Sequence, residues 1–125
     1  MSEHVSAFFD CWQLADAEAR REKVAAILSA DVRYDDPRTP QTLNGIDALN
    51  DYLSMFSANA PGWSATVLHI AVTAGVIRAT VEFGGSGPDG NRMVQLGQYF
   101  VEMENDLITR FVGFAGTGTP EQGVT

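Results

Sequence analysis

Basic residues are scarce in this chain: eight Lys and Arg stand against sixteen Asp and Glu, for a formal net charge of −8. Affinity for phosphate backbones comes largely from Lys and Arg, so this balance argues against a nucleic-acid partner and against an anionic membrane surface. Nor do the few cations gather into a patch, since Arg20, Arg21 and Lys23 decorate one expected helix. Cysteine is limited to Cys11, which excludes an internal disulfide and a cysteine cluster for zinc. Histidine is limited to His4 and His69, and no His-x-His or Glu-x-x-His spacing occurs, so no metal or other cofactor is expected. No apolar run approaches the roughly 18 residues of a membrane span. The first residues lack the basic start and apolar block of a secretory signal, so the expected location is cytoplasmic.

What is present suffices for one hydrophobic core: 125 residues, 45% of them hydrophobic. Residues 1–116 read as a single domain, and the Gly- and Thr-rich residues 117–125 as a flexible tail. Apolar positions at three-and-four spacing predict a helix over 4–15, carried by Val5, Phe8, Phe9 and Trp12. Asp16 is placed to cap a second helix over 17–29, whose buried stripe is Val24, Ile27 and Leu28, with Arg20, Arg21 and Lys23 on the solvated side. A short strand follows at 31–36, then a loop over 38–44 that contains Pro40. A third helix spans 45–58, with Ile46, Leu49, Leu53 and Phe56 on one face, and Pro61-Gly62 ends it.

From Trp63 onward the pattern alternates with period two. Strands are expected at 63–72, 76–83, 92–102 and 107–115, forming two hairpins separated by a glycine-rich loop at 84–90. That loop is no phosphate cradle, because no helix follows it. Helices first and a mostly antiparallel sheet afterward make an α+β domain. The last two strands carry apolar groups on both faces, with Val94, Leu96 and Phe100 on one and Met93, Tyr99 and Val101 on the other. A sheet apolar on both sides needs cover on both. The helices cover one, and a homodimer through the outer sheet face is the simplest cover for the other.

The segment Tyr34-Asp35-Asp36-Pro37 carries the clearest chemistry. Successive strand side chains point to opposite sides, so Tyr34 and Asp36 share one face while Asp35 looks away. Pro37 offers no N–H and ends the pairing just after Asp36. Asp36 is either a general base at the rim of a cavity or a turn carboxylate that caps local backbone N–H groups. Tyr34 could donate its hydroxyl to a ligand or to Asp36, or simply be a buried aromatic.

The order of these elements, with a set of short motifs, resembles the NTF2-like superfamily in its SnoaL-like branch, and more distantly the ketosteroid isomerases. The motifs are Phe8-Phe9 with Trp12, Asp16, Arg20-Arg21, the run from Asp31 to Pro37, the run from Asn44 to Leu49, Pro61-Gly62 and Gly113-Phe114. The resemblance covers roughly residues 5 to 115. It implies a cone in which three N-terminal helices pack inside a strongly curved, mostly antiparallel sheet, leaving an apolar pocket at the open end. It also implies that Asp36, in its Asp-Pro pair, matches the isomerases' general base. Trp12 stands where the isomerases place a helix tyrosine, and Gln98 or a close neighbour where they place a late-strand aspartic acid. Both can donate hydrogen bonds, although more weakly than those groups. Asp36, Tyr34 and Gln98 are thus the candidate catalytic residues. Trp12, Tyr52, Phe56, Trp63, Phe83, Phe100 and Phe114 are the candidate pocket lining. The partner expected is a small apolar ligand, and the activity expected is cofactor-independent isomerase, cyclase or hydrolase-like proton transfer. A non-catalytic binding protein, or a dimeric interaction module, is the alternative on the same scaffold.

Overall fold

The computed structural model describes residues 2–118, so the expected tail lies outside the described residues from 119 onward. Helix α1 (Ser2–Asp10) tightens into a 3-10 turn at Cys11–Gln13, and Val5, Phe8, Phe9 and Trp12 are all buried, as the spacing predicts. Asp16 caps α2 (Ala17–Ala25), its carboxylate accepting from the backbone N–H of Glu18 at 3.0 Å. Strand β1 (Leu28–Asp35), the short strand β2 (Leu43–Asn44) and helix α3 (Ile46–Asn59) come next. The chain then runs through β3 (Ser64–Thr73), β4 (Val76–Ser86), β5 (Arg92–Glu104) and β6 (Leu107–Ala115).

The strands form one curved, open six-stranded sheet in the order β2-β1-β6-β5-β4-β3. Every neighbouring pair is antiparallel except β1 with β6. Ala74-Gly75 and Asn105-Asp106 all have positive φ, the left-handed backbone that lets two-residue turns follow the twist of a hairpin. The α+β class is as expected, but the helices are not all N-terminal: α3 follows β1 and β2.

Other differences have local causes. The second helix stops at Ala25 rather than near Ser29, because Ala26 and Ile27 turn the chain into β1, which begins at Leu28. The Ile27 carbonyl accepts from Ile108 N at 2.9 Å, and Leu28 pairs with Ile108 on β6. A two-residue apolar run fits either a helix stripe or a strand start. Gly84 to Ser86 are not loop but the end of β4, paired with β5. Gly85 must lack a side chain there, since a Cβ would come within 2.4 Å of the Trp63 ring.

Arg20 is not on a solvated face. It is fully buried between α2 and α3, where its guanidinium donates to Asn50 Oδ1 at 2.7 Å, to the Leu14 carbonyl at 2.5 Å, and to Ser54 Oγ. Burial lowers its pKa from the ordinary arginine value, against the opposing fields of Cys11, Asp16 and Asp51.

Strand β5 also presents its faces the other way round. Gly97, Tyr99 and Val101 are buried against the helices, whereas Val94, Leu96 and Phe100 are exposed on the convex side. Alternation alone cannot orient a strand that is apolar on both faces. The glycines decide it, because the Tyr99 ring fills a slot opposite Gly113, where an added Cβ would sit 2.6 Å from Tyr99 Cε1.

Candidate active site

Tyr34 and Asp36 share the inner face at the end of β1, as strand parity requires. Asp35 turns outward and accepts from Thr42 Oγ1 at 2.8 Å. Asp36 is only 8% exposed, and its two oxygens have separate partners. Oδ1 accepts from the backbone N–H of Arg38 at 2.7 Å and of Thr39 at 3.1 Å, closing the turn that Pro37 begins. Oδ2 accepts from the hydroxyls of Tyr34 at 2.7 Å and Tyr52 at 2.6 Å. A buried carboxylate is costly unless satisfied, and four donors satisfy this one.

The network continues one step further. The hydroxyls of Tyr34 and Tyr99 lie 3.1 Å apart. Tyr34 spends its only proton on Asp36, so Tyr99 is the donor to Tyr34. The chain has three tyrosines, and all of them converge on Asp36. Burial pushes the pKa of each phenol above its ordinary value. For Tyr52 the hydrogen bond to the Asp36 carboxylate adds to that effect, and Asp36 and Tyr99 add to it at Tyr34. The three hydroxyls are therefore neutral donors at physiological pH.

Two cavities adjoin this network. The larger, of about 630 Å³, opens between the end of α3 and the strands β4 and β5. Its lining includes Tyr52, Phe56, Trp63 and Phe83 from the expected set, together with Met55, Met93 and Arg38. The smaller, of about 250 Å³, is bordered by Tyr99, Phe114, Phe83 and again Arg38. A cavity of the larger size suits a small organic ligand.

The remaining expected residues are elsewhere. Trp12 is buried beneath the lining, its ring packed on Tyr52, Phe56 and Phe83 at centroid distances of 6.2, 4.9 and 5.3 Å. Its Nε1–H has no hydrogen-bond partner among the described residues. Gln98 and Phe100 stand on the convex face, one residue out of phase with Tyr99, so neither joins Asp36. Phe114 is also on that face and reaches only the smaller cavity. Among the described residues no three of His, Cys, Asp and Glu are grouped to hold a metal ion.

Tyr99 and Arg38 are site residues outside the expected catalytic and lining sets. Gly97 and Gly113, small residues in phase with Tyr99 on paired strands, are the signal that would have pointed its ring inward. No signal of comparable strength marks Arg38, whose place depends on the turn around Pro37.

Residues 5–111 match the model of the SnoaL-like domain. The chain belongs to the SnoaL-like family. That family lies within the NTF2-like superfamily, and solved structures share the fold over most of its length. A protein from Agrobacterium tumefaciens, named as an isomerase of the SnoaL-like family, is 20% identical with a TM-score of 0.76, covering 94% of this chain and 100% of that one. A protein from Jannaschia, named as a SnoaL-like polyketide cyclase, is 14% identical with a TM-score of 0.75, covering 91% and 83%. A protein from Kribbella flavida, named as a ketosteroid isomerase, is 22% identical with a TM-score of 0.67, covering 94% and 78%. These likenesses establish the fold of this SnoaL-like protein and leave its reaction to its own residues. No curated protein sequence matches it.

Proposed function

We propose that this SnoaL-like protein is a cofactor-independent enzyme that moves a proton on a small, largely apolar, carbonyl-bearing metabolite held in the larger cavity. One observation carries the reading: Tyr52 lines that cavity while its hydroxyl donates to the buried Asp36 at 2.6 Å. The carboxylate is thereby connected to the cavity through a single phenol. In the step envisaged, the C–H bond beside the substrate carbonyl breaks and its proton passes to the Tyr52 oxygen. The Tyr52 proton passes to Asp36 Oδ2 in the same event, and the electron pair moves into the substrate as an enolate. Since the Tyr52 pKa is raised, no free phenolate accumulates. The backbone N–H donors of Arg38 and Thr39 on Oδ1 hold the site in register. The isomerase and cyclase names of the structural neighbours are compatible with such chemistry.

A second reading, a ligand-binding protein without chemistry, is favoured by the completeness of the Asp36 network, which engages four donors from the protein itself. The two separate in deuterium oxide. The enzyme reading expects solvent deuterium to enter cyclic ketones and enones beside the carbonyl in the presence of the protein, detected by NMR, and expects Asp36→Asn to abolish it. Binding of the same ketones without any exchange, or exchange that survives in Asp36→Asn, leaves only the carrier.

We also propose that two copies associate through the convex sheet face. Val94, Leu96, Phe100 and Phe114 are exposed together there; Arg92 pairs with Glu82 and Arg110 with Glu102 at the margins, and Arg78 stands across from Phe100. A patch without unpaired carboxylates lets two chains of net charge −8 approach where repulsion is least.

A further inference from the structure

Among the described residues Arg38 is the only charged one lining either cavity, and it lines both. Around it the protein is strongly acidic, yet among the described residues no carboxylate reaches either lining. Among the other arginines, Arg21 pairs with Asp47, Arg92 with Glu82, Arg110 with Glu102, and Arg20 with Asn50, while Arg33 and Arg78 stand exposed and border neither cavity. The Arg38 guanidinium makes no ion pair and no side-chain hydrogen bond among the described residues. It is instead held over the face of the Phe83 ring, 5.9 Å from the centroid. Asp36 does not neutralise it by contact, because that carboxylate is buried and fully engaged with two phenols and two backbone N–H groups. The backbone N–H of Arg38 is itself one of those donors, so the turn that closes on Asp36 also aims this side chain at the cavities.

The one charged group facing the cavity is thus a donor, the guanidinium fork, with the buried Trp12 Nε1–H also unpaired below the lining, and Asn59, Ser86 and Gln95 of the lining are neutral. The walls between are apolar and aromatic, from Phe56, Trp63, Phe83, Met55 and Met93. A cation on an aromatic face at the edge of an apolar cavity suits a flat hydrophobic ring that carries an anionic oxygen at its rim. We propose that Arg38 is the specificity determinant of the site and that the natural ligand is an apolar ring compound bearing a carboxylate or an acidic enol oxygen. The inference rests on the larger cavity being the ligand site. It does not depend on the proton-transfer step, which the exchange experiment tests separately with neutral ketones.

Matched probes that differ only in charge test it. Binding of 1-naphthoate and of 1-naphthamide is compared by calorimetry at neutral pH, for the unaltered protein and for Arg38→Met, Arg38→Gln and Arg38→Lys. The acid is expected to bind about tenfold more tightly than the amide, and the preference is expected to shrink as salt is raised. Arg38→Met and Arg38→Gln should equalise the two probes while leaving thermal stability unchanged, because the side chain is exposed and its backbone N–H remains. Arg38→Lys should keep part of the preference, having the charge without the fork. Equal or weaker binding of the acid in the unaltered protein, undetectable binding included, overturns the proposal. So does an acid preference that survives in both Arg38→Met and Arg38→Gln. Either failure would leave the deuterium exchange of ketones and its dependence on Asp36 untouched.

Discussion

Tyr52 on α3 and Asp36 at the end of β1 meet hydroxyl to carboxylate at 2.6 Å. The contact joins the helix layer to the sheet, and it brings the network of Asp36, Tyr34 and Tyr99 to the wall of the larger cavity. Since these are the three tyrosines of the chain, any spectroscopic signal from tyrosine is a signal from this site.

That coincidence makes the alkaline titration diagnostic. A free phenol ionises near pH 10. In the folded protein all three are shifted upward, chiefly by burial, so the neutral form is favoured on folding. A raised folded pKa contributes stability that is complete below about pH 10 and is lost as pH climbs through the higher folded values. Tyrosinate absorbance is therefore expected to stay flat through the ordinary tyrosine range. It should then appear in one step together with the loss of near-ultraviolet circular dichroism. A gradual rise centred near pH 10 in a protein that remains folded would show the phenols to be free of the network.

Tyr52→Phe and Asp36→Asn should separate structure from chemistry. Tyr52→Phe removes one donor from a carboxylate that keeps three, and is expected to cost about 1–2 kcal/mol in urea denaturation. If Tyr52 relays the proton, the same variant should lower the deuterium exchange rate by at least about 10²-fold with little change in ketone affinity. Exchange at the normal rate in Tyr52→Phe would mean that Asp36 meets the substrate directly.

Arg20 offers a stability test away from the cavities. Its guanidinium satisfies Asn50 Oδ1 and Ser54 Oγ on α3 and the Leu14 carbonyl in the connection before α2. Arg20→Ala leaves these acceptors unpaired beside a void, and is expected to destabilise by about 3 kcal/mol or more. Arg20→Lys, with one point donor in place of the fork, should fall between the two. Equal midpoints for all three proteins in urea would refute the interface role.

How much of this was legible in the sequence depends on how each residue's direction is fixed. Tyr34 and Asp36 were readable because a period of two leaves no choice once Val32 and Tyr34 face the core, and both are buried. Arg20 was misread on account of its charge, although it stands four residues before Val24, on the buried stripe of its helix. Tyr99 was unreadable from hydropathy, since β5 is apolar on both faces. Gln98 was assigned to the cavity from the resemblance to the isomerases, and the true phase shows only in the paired glycines. The cavities come from the relation of α3 to β4 and β5, which no local pattern encodes.

The Tyr99 slot can be tested by filling it. In Gly113→Ala the added Cβ would lie 2.6 Å from Tyr99 Cε1, within a packed interior where the ring has little room to move. The variant is expected to lose about 1–3 kcal/mol and to expose Tyr99 to titration earlier than in the unaltered protein. Stability equal to the unaltered protein, with the same alkaline profile, would show that the ring is not held as the geometry requires.

The convex face closes the set. Phe100 and Phe114 meet there edge to face at 5.7 Å, in the open rather than under a helix, with Phe114 56% exposed. An isologous pair would bury these rings against their own copies, and aromatic residues at the centre of such a patch carry much of the binding energy. Sedimentation at micromolar concentration is expected to give twice the 13.5 kDa chain mass. Phe100→Glu places a charge on each side of the two-fold contact, and should yield monomers with an unchanged far-ultraviolet spectrum. Phe100 borders neither cavity, so ligand affinity in the monomeric variant isolates what the second copy contributes to the site. A monomer in the unaltered protein, or a dimer untroubled by Phe100→Glu, would move the association away from this face.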